Sequence, residues 1–110
     1  MRAAAPLRSS YQWAPTRFEV VGGGAAAVIR GPVHNLGPRS EEPEVYAGLE
    51  DAFTRMLPQF VEAGVLRAGA DCALDVVVKA QLYALKAGMS YSGRWHMEGL
   101  TEGIVASGVY

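Results

Sequence analysis

The sequence predicts an α+β domain in which an N-terminal β-hairpin and one long, kinked helix precede a strand-rich C-terminal part. Three observations carry this. Strand-forming residues flank the run Gly22-Gly23-Gly24. Apolar residues between positions 43 and 64 recur at three-to-four spacing. Beyond position 71, stretches such as Leu74-Asp75-Val76-Val77-Val78 and Ile104-Val105 are dense in β-branched side chains.

Residues 1–10 carry two arginines, alanines and serines but no acid, and read as a disordered or variable N-terminus. Residues 11–110 read as one domain, opened by the aromatic segment Tyr11-Gln12-Trp13-Ala14-Pro15. Phe18-Glu19-Val20-Val21 has strand composition and residues 26–30 return as a second strand, so the three glycines between them make a hairpin turn. A phosphate-binding loop is the sharper alternative, but no Lys-Ser/Thr follows and the GxGxxG spacing is absent. Residues 31–43 form a connection rich in Pro, Gly, Asn and charge, in which His34 reads as a surface residue.

The helix over residues 43–64 has Ser40 or Glu42 as candidate caps and Pro43 in its first turn. Val45, Leu49, Ala52, Phe53, Met56 and Phe60 form its apolar stripe, and Glu50, Asp51, Arg55, Gln59 and Glu62 occupy the other faces. Pro58 lacks a donor and clashes with the preceding turn, so it should kink the helix or start a second one. Gly64 ends it. Residues 71–88 read as one long strand, although the Ala, Leu and Lys content of residues 80–86 argues for helix. A Gly/Ser loop covers residues 87–94, a short strand residues 95–98, and a last strand residues 104–110.

Composition narrows the function classes. The 110 residues are half hydrophobic, with a net charge of −1. The basic residues are scattered, so nucleic acid is not an expected partner. No run approaches the roughly 18 apolar residues of a membrane span, so no membrane is expected either. Cys72 stands alone, which excludes an intrachain disulfide and a cysteine-based zinc cage and leaves it as a small apolar side chain near a strand. A secretory signal lacks its apolar core here, and residues 1–10 only faintly resemble a transit peptide. The expected location is cytoplasmic. No GxSxG elbow supports a hydrolase.

The chemistry concentrates in Gly93-Arg94-Trp95-His96-Met97-Glu98-Gly99. On a strand, residues i and i+2 project to the same side, so His96 and Glu98 would present an imidazole nitrogen and a carboxylate together. Those are two donors of a 2-His-1-carboxylate triad, which holds iron(II) on one side and leaves positions open. Trp95 and Met97 would then face a packed side. A His beside a Glu on a surface is the bland alternative. His34 is the only other histidine, and its spacing gives no support for its being the third ligand.

Three stretches resemble a large, mostly fungal family of uncharacterised proteins, the domain-of-unknown-function family with serial number four-two-four-six. They are Val76-Val77-Val78-Lys79, the segment Tyr91-Ser92 continuing into the His96 motif, and Ile104-Val105-Ala106-Ser107-Gly108-Val109-Tyr110. Upstream, Tyr11-Gln12-Trp13-Ala14-Pro15 with Phe18, Asn35-Leu36-Gly37-Pro38, Tyr46, and Leu57-Pro58-Gln59-Phe60 follow the family's order. The family looks like double-stranded β-helix (cupin-like) oxygenases. The resemblance implies a partial barrel of this kind, iron(II) and 2-oxoglutarate as cofactors, and His96 and Glu98 as metal ligands. A second histidine ligand and a 2-oxoglutarate-gripping arginine would lie beyond Tyr110, so the expectation is a truncated oxygenase-like domain, inactive alone. Gly37-Pro38 replaces a His-Pro common in the family, and a histidine expected near Glu102-Gly103 is absent.

The substrate, small molecule or protein, is unspecified. An unclosed sheet would leave edges open to self-association. The alternative function is a non-catalytic interaction or structural module that uses the amphipathic helix 43–64.

Overall fold

The computed structural model describes residues 14–95 and 103–110. Four elements follow in order: β1 (Thr16–Val21), β2 (Ala26–Ile29), α1 (Pro43–Glu62) and β3 (Cys72–Val76). The strands form one antiparallel sheet of order β2-β1-β3, so β1 is central. Phe18 lies opposite Ile29 on one side and Leu74 on the other. The described part is therefore α+β, with one three-stranded sheet and one helix.

The period of two decides which face is buried. Thr16, Phe18 and Val20 of β1 and Ala27 and Ile29 of β2 are buried on the helix side. Cys72, Leu74 and Val76 of β3 point the same way but stay half-buried. The opposite face is solvated and carries cross-strand ion pairs, Arg17 with Asp75 at 3.2 Å and Arg30 with Glu19 at 2.9 Å. Exposed pairs of this kind contribute at most about 1 kcal/mol each; their role is to mark this face as the wet one.

The hairpin forms where the glycines predict it. Gly22, Gly23 and Gly24 all have φ near +70° to +90° (67, 72 and 87°), a region that costs glycine nothing. Gly24 also passes close to Gly69, where a Cβ would stand 3.4 Å from the Gly69 amide nitrogen.

Helix α1 begins with Pro43 in its first turn, where a missing donor is harmless. Glu42 holds the N-cap position, but its side chain makes no capping bond. The helix ends in a Schellman arrangement: Gly64, at φ +78°, donates its N–H to Val61 O, and Val65 donates to Phe60 O. It runs on through Pro58 as one helix, so of the two expected outcomes, a kink or a second helix, the second helix does not form. The stripe is also turned from the expected one. Tyr46 and Leu57 are its most buried members, whereas Val45 is 42% exposed. Tyr46, Leu49, Phe53 and Leu57 pack on the sheet, in two clusters centred on Phe18 and on Val20.

Strand composition beyond residue 71 overstates the sheet. Only Cys72–Val76 pairs; the described residues from 77 to 95 and from 103 to 110 join no strand, so the long strand over 71–88 and the last one over 104–110 are not there. A strand exists by pairing, and β-branched side chains alone do not make one. β1 already has both neighbours, and nothing among the described residues pairs with the outer edge of β3. No helix among the described residues is long and apolar enough to cross a membrane.

Candidate functional site

His96 and Glu98, the two expected iron ligands, lie outside the described residues. Gly93, Arg94 and Trp95 lead up to them in irregular, exposed chain. Trp95, expected to face a packed side, is fully exposed. The approach is anchored locally by Tyr83 and Tyr91, whose rings lie 4.4 Å apart at 47°.

His34 lies in the loop after β2. It lines a cavity of about 520 Å³ with Thr16, Val33, Leu36, Leu49 and Val78. The walls are mainly apolar, and among the described residues no carboxylate lines the cavity with the imidazole. Among the described residues no group of three or more His, Cys, Asp or Glu side chains could hold a metal ion. Cys72 is a free thiol, packed beside Val20 and Leu57.

The glycine turn has its amides filled from within the chain. Asp71, just before β3, accepts hydrogen bonds on Oδ1 from Gly23 N at 2.7 Å and Gly24 N at 3.2 Å. Consecutive amides in positive-φ backbone make an anion cradle, and here the anion is the protein's own carboxylate.

The densest polar constellation joins α1 to β2. Ala27 N donates to Thr54 Oγ1 at 3.0 Å, and Ile29 N donates to Glu50 Oε2 at 2.8 Å. Arg39 clamps the same Glu50 carboxylate through Nη1 at 3.0 Å and Nη2 at 2.6 Å. Glu50 and Thr54 are one helical turn apart, so both project from the same side of α1 onto the outer edge of β2. Sequence reading assigned Glu50 only to the helix's polar face. The i, i+4 spacing of an acceptor pair beside the apolar stripe was the available signal, but its target is set by tertiary packing.

Burial acts to raise the pKa of Glu50, but the hydrogen bonds from Arg39 and Ile29 N and the charges of Arg39 and Arg30 outweigh it and hold the carboxyl below its ordinary range. The bond to Glu50, helped by its charge, raises the Arg39 pKa further above its already high value. For an acid depressed in the folded state, the stabilisation is present above the unfolded-state pKa and is lost as pH falls through the folded-state value. Urea unfolding is therefore expected to shift to lower denaturant between pH 6 and about pH 3. Glu50→Gln should lower stability by about 1 kcal/mol at pH 6 and flatten that pH dependence. An unchanged slope in the variant would remove Glu50 from the acid response.

No family model, curated protein or solved structure matches this chain.

Proposed function

We propose that this chain is an iron(II)- and 2-oxoglutarate-dependent oxygenase-like domain, a partial double-stranded β-helix in which His96 and Glu98 are two of the metal ligands. The observation that carries this reading is where the unburied apolar side chains fall. Leu82, Met89, Tyr91 and Trp95 before the motif, and Val105, Val109 and Tyr110 after it, are all more than half exposed. A chain that keeps such side chains is built to bury them against further strands. The family resemblance and the donor chemistry of His-x-Glu then supply the kind of domain.

The residues fit the metal only in part. An imidazole nitrogen and a carboxylate suit iron(II), and the described residues by themselves form no group of three donors. Iron(II), when bound, supplies the redox chemistry for oxygen activation. Within this chain, His96 in its neutral form and Glu98 in its ionised form would bind and orient the metal.

A non-catalytic interaction module is the second reading. It draws on the same exposed apolar tract rather than on α1, whose stripe is engaged by the sheet. Anaerobic titration of ferrous iron into the chain separates the two. Wild type is expected to bind weakly. His96→Ala and Glu98→Ala should each weaken binding at least about tenfold, while His34→Ala leaves it unchanged. Equal binding by wild type and His96→Ala would overturn the oxygenase reading and leave the module.

A further inference from the structure

The two outer edges of the sheet differ. The β2 edge is sealed: its outward N–H groups, on Ala27 and Ile29, are taken by Thr54 and Glu50. That assignment fixes the parity of the whole sheet. Because Ala27 and Ile29 turn their amides away from β1, their opposites Val20 and Phe18 turn theirs toward β3. Phe18 faces Leu74 and Val20 faces Cys72, so Cys72, Leu74 and Val76 bond inward to β1. The backbone groups of Ala73 and Asp75 must therefore point outward. Both residues are exposed, and no hydrogen bond from another described residue covers their outward groups. An exposed row of unpaired amides is a template for another strand.

We infer that the β3 edge is a self-association surface, and that its occupant is β3 of a second copy of this chain, paired antiparallel about a two-fold axis at Leu74. Parity allows an axis at Ala73, Leu74 or Asp75, and only the axis at Leu74 keeps Asp75 from facing Asp71 or another Asp75. Ala73 of one copy and Asp75 of the other exchange both backbone bonds, twice, and Leu74 meets Leu74 as a non-bonded pair with close side chains. Cys72 falls opposite Val76 of the second copy.

The side chains agree with this register on both faces. On the helix side, the half-buried Cys72, Leu74 and Val76 continue into their counterparts as one apolar row. On the wet side, each Asp75 meets an alanine rather than another acid, and its charge is already held by Arg17 of its own chain. Sealing of the β2 edge makes the association isologous and closed: two copies join into a six-stranded sheet, and neither end invites a third. His96 and Glu98 take no part in it, so its test and the iron titration can fail separately.

The experiment uses the full chain. Sedimentation or light scattering is expected to give about twice the monomer mass of 11.7 kDa. Ala73→Pro, which removes an outward N–H and leaves the inner ladder intact, should return it to the monomer with its far-ultraviolet spectrum unchanged. A covalent test guards against a variant that fails to fold. Opposed non-bonded pairs have Cα atoms about 4.5 Å apart, within disulfide reach. Mild oxidation of Val76→Cys should therefore give a reducible dimer in high yield, linked through Cys72 of the other copy. Adding Cys72→Ser should abolish it. Within one chain, positions 72 and 76 are about 13 Å apart along the strand, too far to bridge.

A monomer at every concentration would overturn the proposal, as would a dimer that resists Ala73→Pro and does not crosslink. A monomer whose Ala73 and Asp75 amides are protected from hydrogen exchange would mean that another part of the same chain fills the edge.

Discussion

Replacing Phe18 by alanine is expected to cost about 3–5 kcal/mol, enough to unfold a large share of the molecules at room temperature. Phe18 is 1% exposed, sits on the central strand, and places its ring 5.0 Å from that of Phe53 on α1. It shares a buried cluster with Ile29, Val33 and Tyr46, against which Leu49 and Phe53 of α1 pack. Among the described residues the fully buried apolar core comprises Phe18, Val20, Ala27, Ile29, Val33, Tyr46 and Leu57. Little else can close over the void, so the cavity cost should sit near the top of its range. Urea unfolding followed by far-ultraviolet circular dichroism checks this. Val21→Ala, on the wet side of the same strand, serves as the control and should cost under about 1 kcal/mol. If the two variants unfold alike, the helix-side face of β1 is not the core.

The second large effect comes from a single oxygen. Tyr46 is 1% exposed; its hydroxyl donates to Gly37 O at 2.8 Å and accepts from Val33 N at 3.0 Å. Those bonds tie both limbs of the loop between β2 and α1 to the first turn of the helix. Tyr46→Phe keeps the ring but leaves a buried amide and a carbonyl without partners, at a cost of about 1–3 kcal/mol. Arg39, whose guanidinium lies 5.2 Å from the ring centroid, remains in place. Loss of stability should therefore be accompanied by faster hydrogen exchange at Val33, with the β1–β3 amides following only the global change. A variant as stable as wild type, with Val33 still protected, would show that the hydroxyl is not what fixes the loop.

What was legible in the sequence divides along the range of the interactions. The hairpin depends on three glycines and their immediate neighbours, and the helix on a Pro, a Gly and a period, all of them local. The rotation of the helix was not legible, because Tyr46 replaces Val45 on the buried stripe only once its hydroxyl has loop backbone to bond. Nor were the partners of Glu50, Thr54 and Asp71, which lie 21, 27 and 48 residues away. The long strand over 71–88 was over-read for the opposite reason: its composition speaks for a β environment, and pairing partners decide how much of it becomes strand. Of the candidate site, the donor types of His96 and Glu98 are plain from the sequence, but their placement lies outside the described residues.

Asp71 has a consequence in chain entropy. The turn that joins β1 to β2 is four residues long, 22–25, whereas the connection from β1 to β3 runs over residues 22–71. Closing the longer loop costs about 2 kcal/mol more by the logarithmic dependence on length. Pairing of β3 is therefore the entropically more expensive joint of the sheet. Asp71 grips Gly23 and Gly24 at the residue where that long connection ends, so the same carboxylate that fills the turn also holds the two ends of the loop together. The glycine run is thus the hinge-pin of the sheet as well as the bend of its first hairpin.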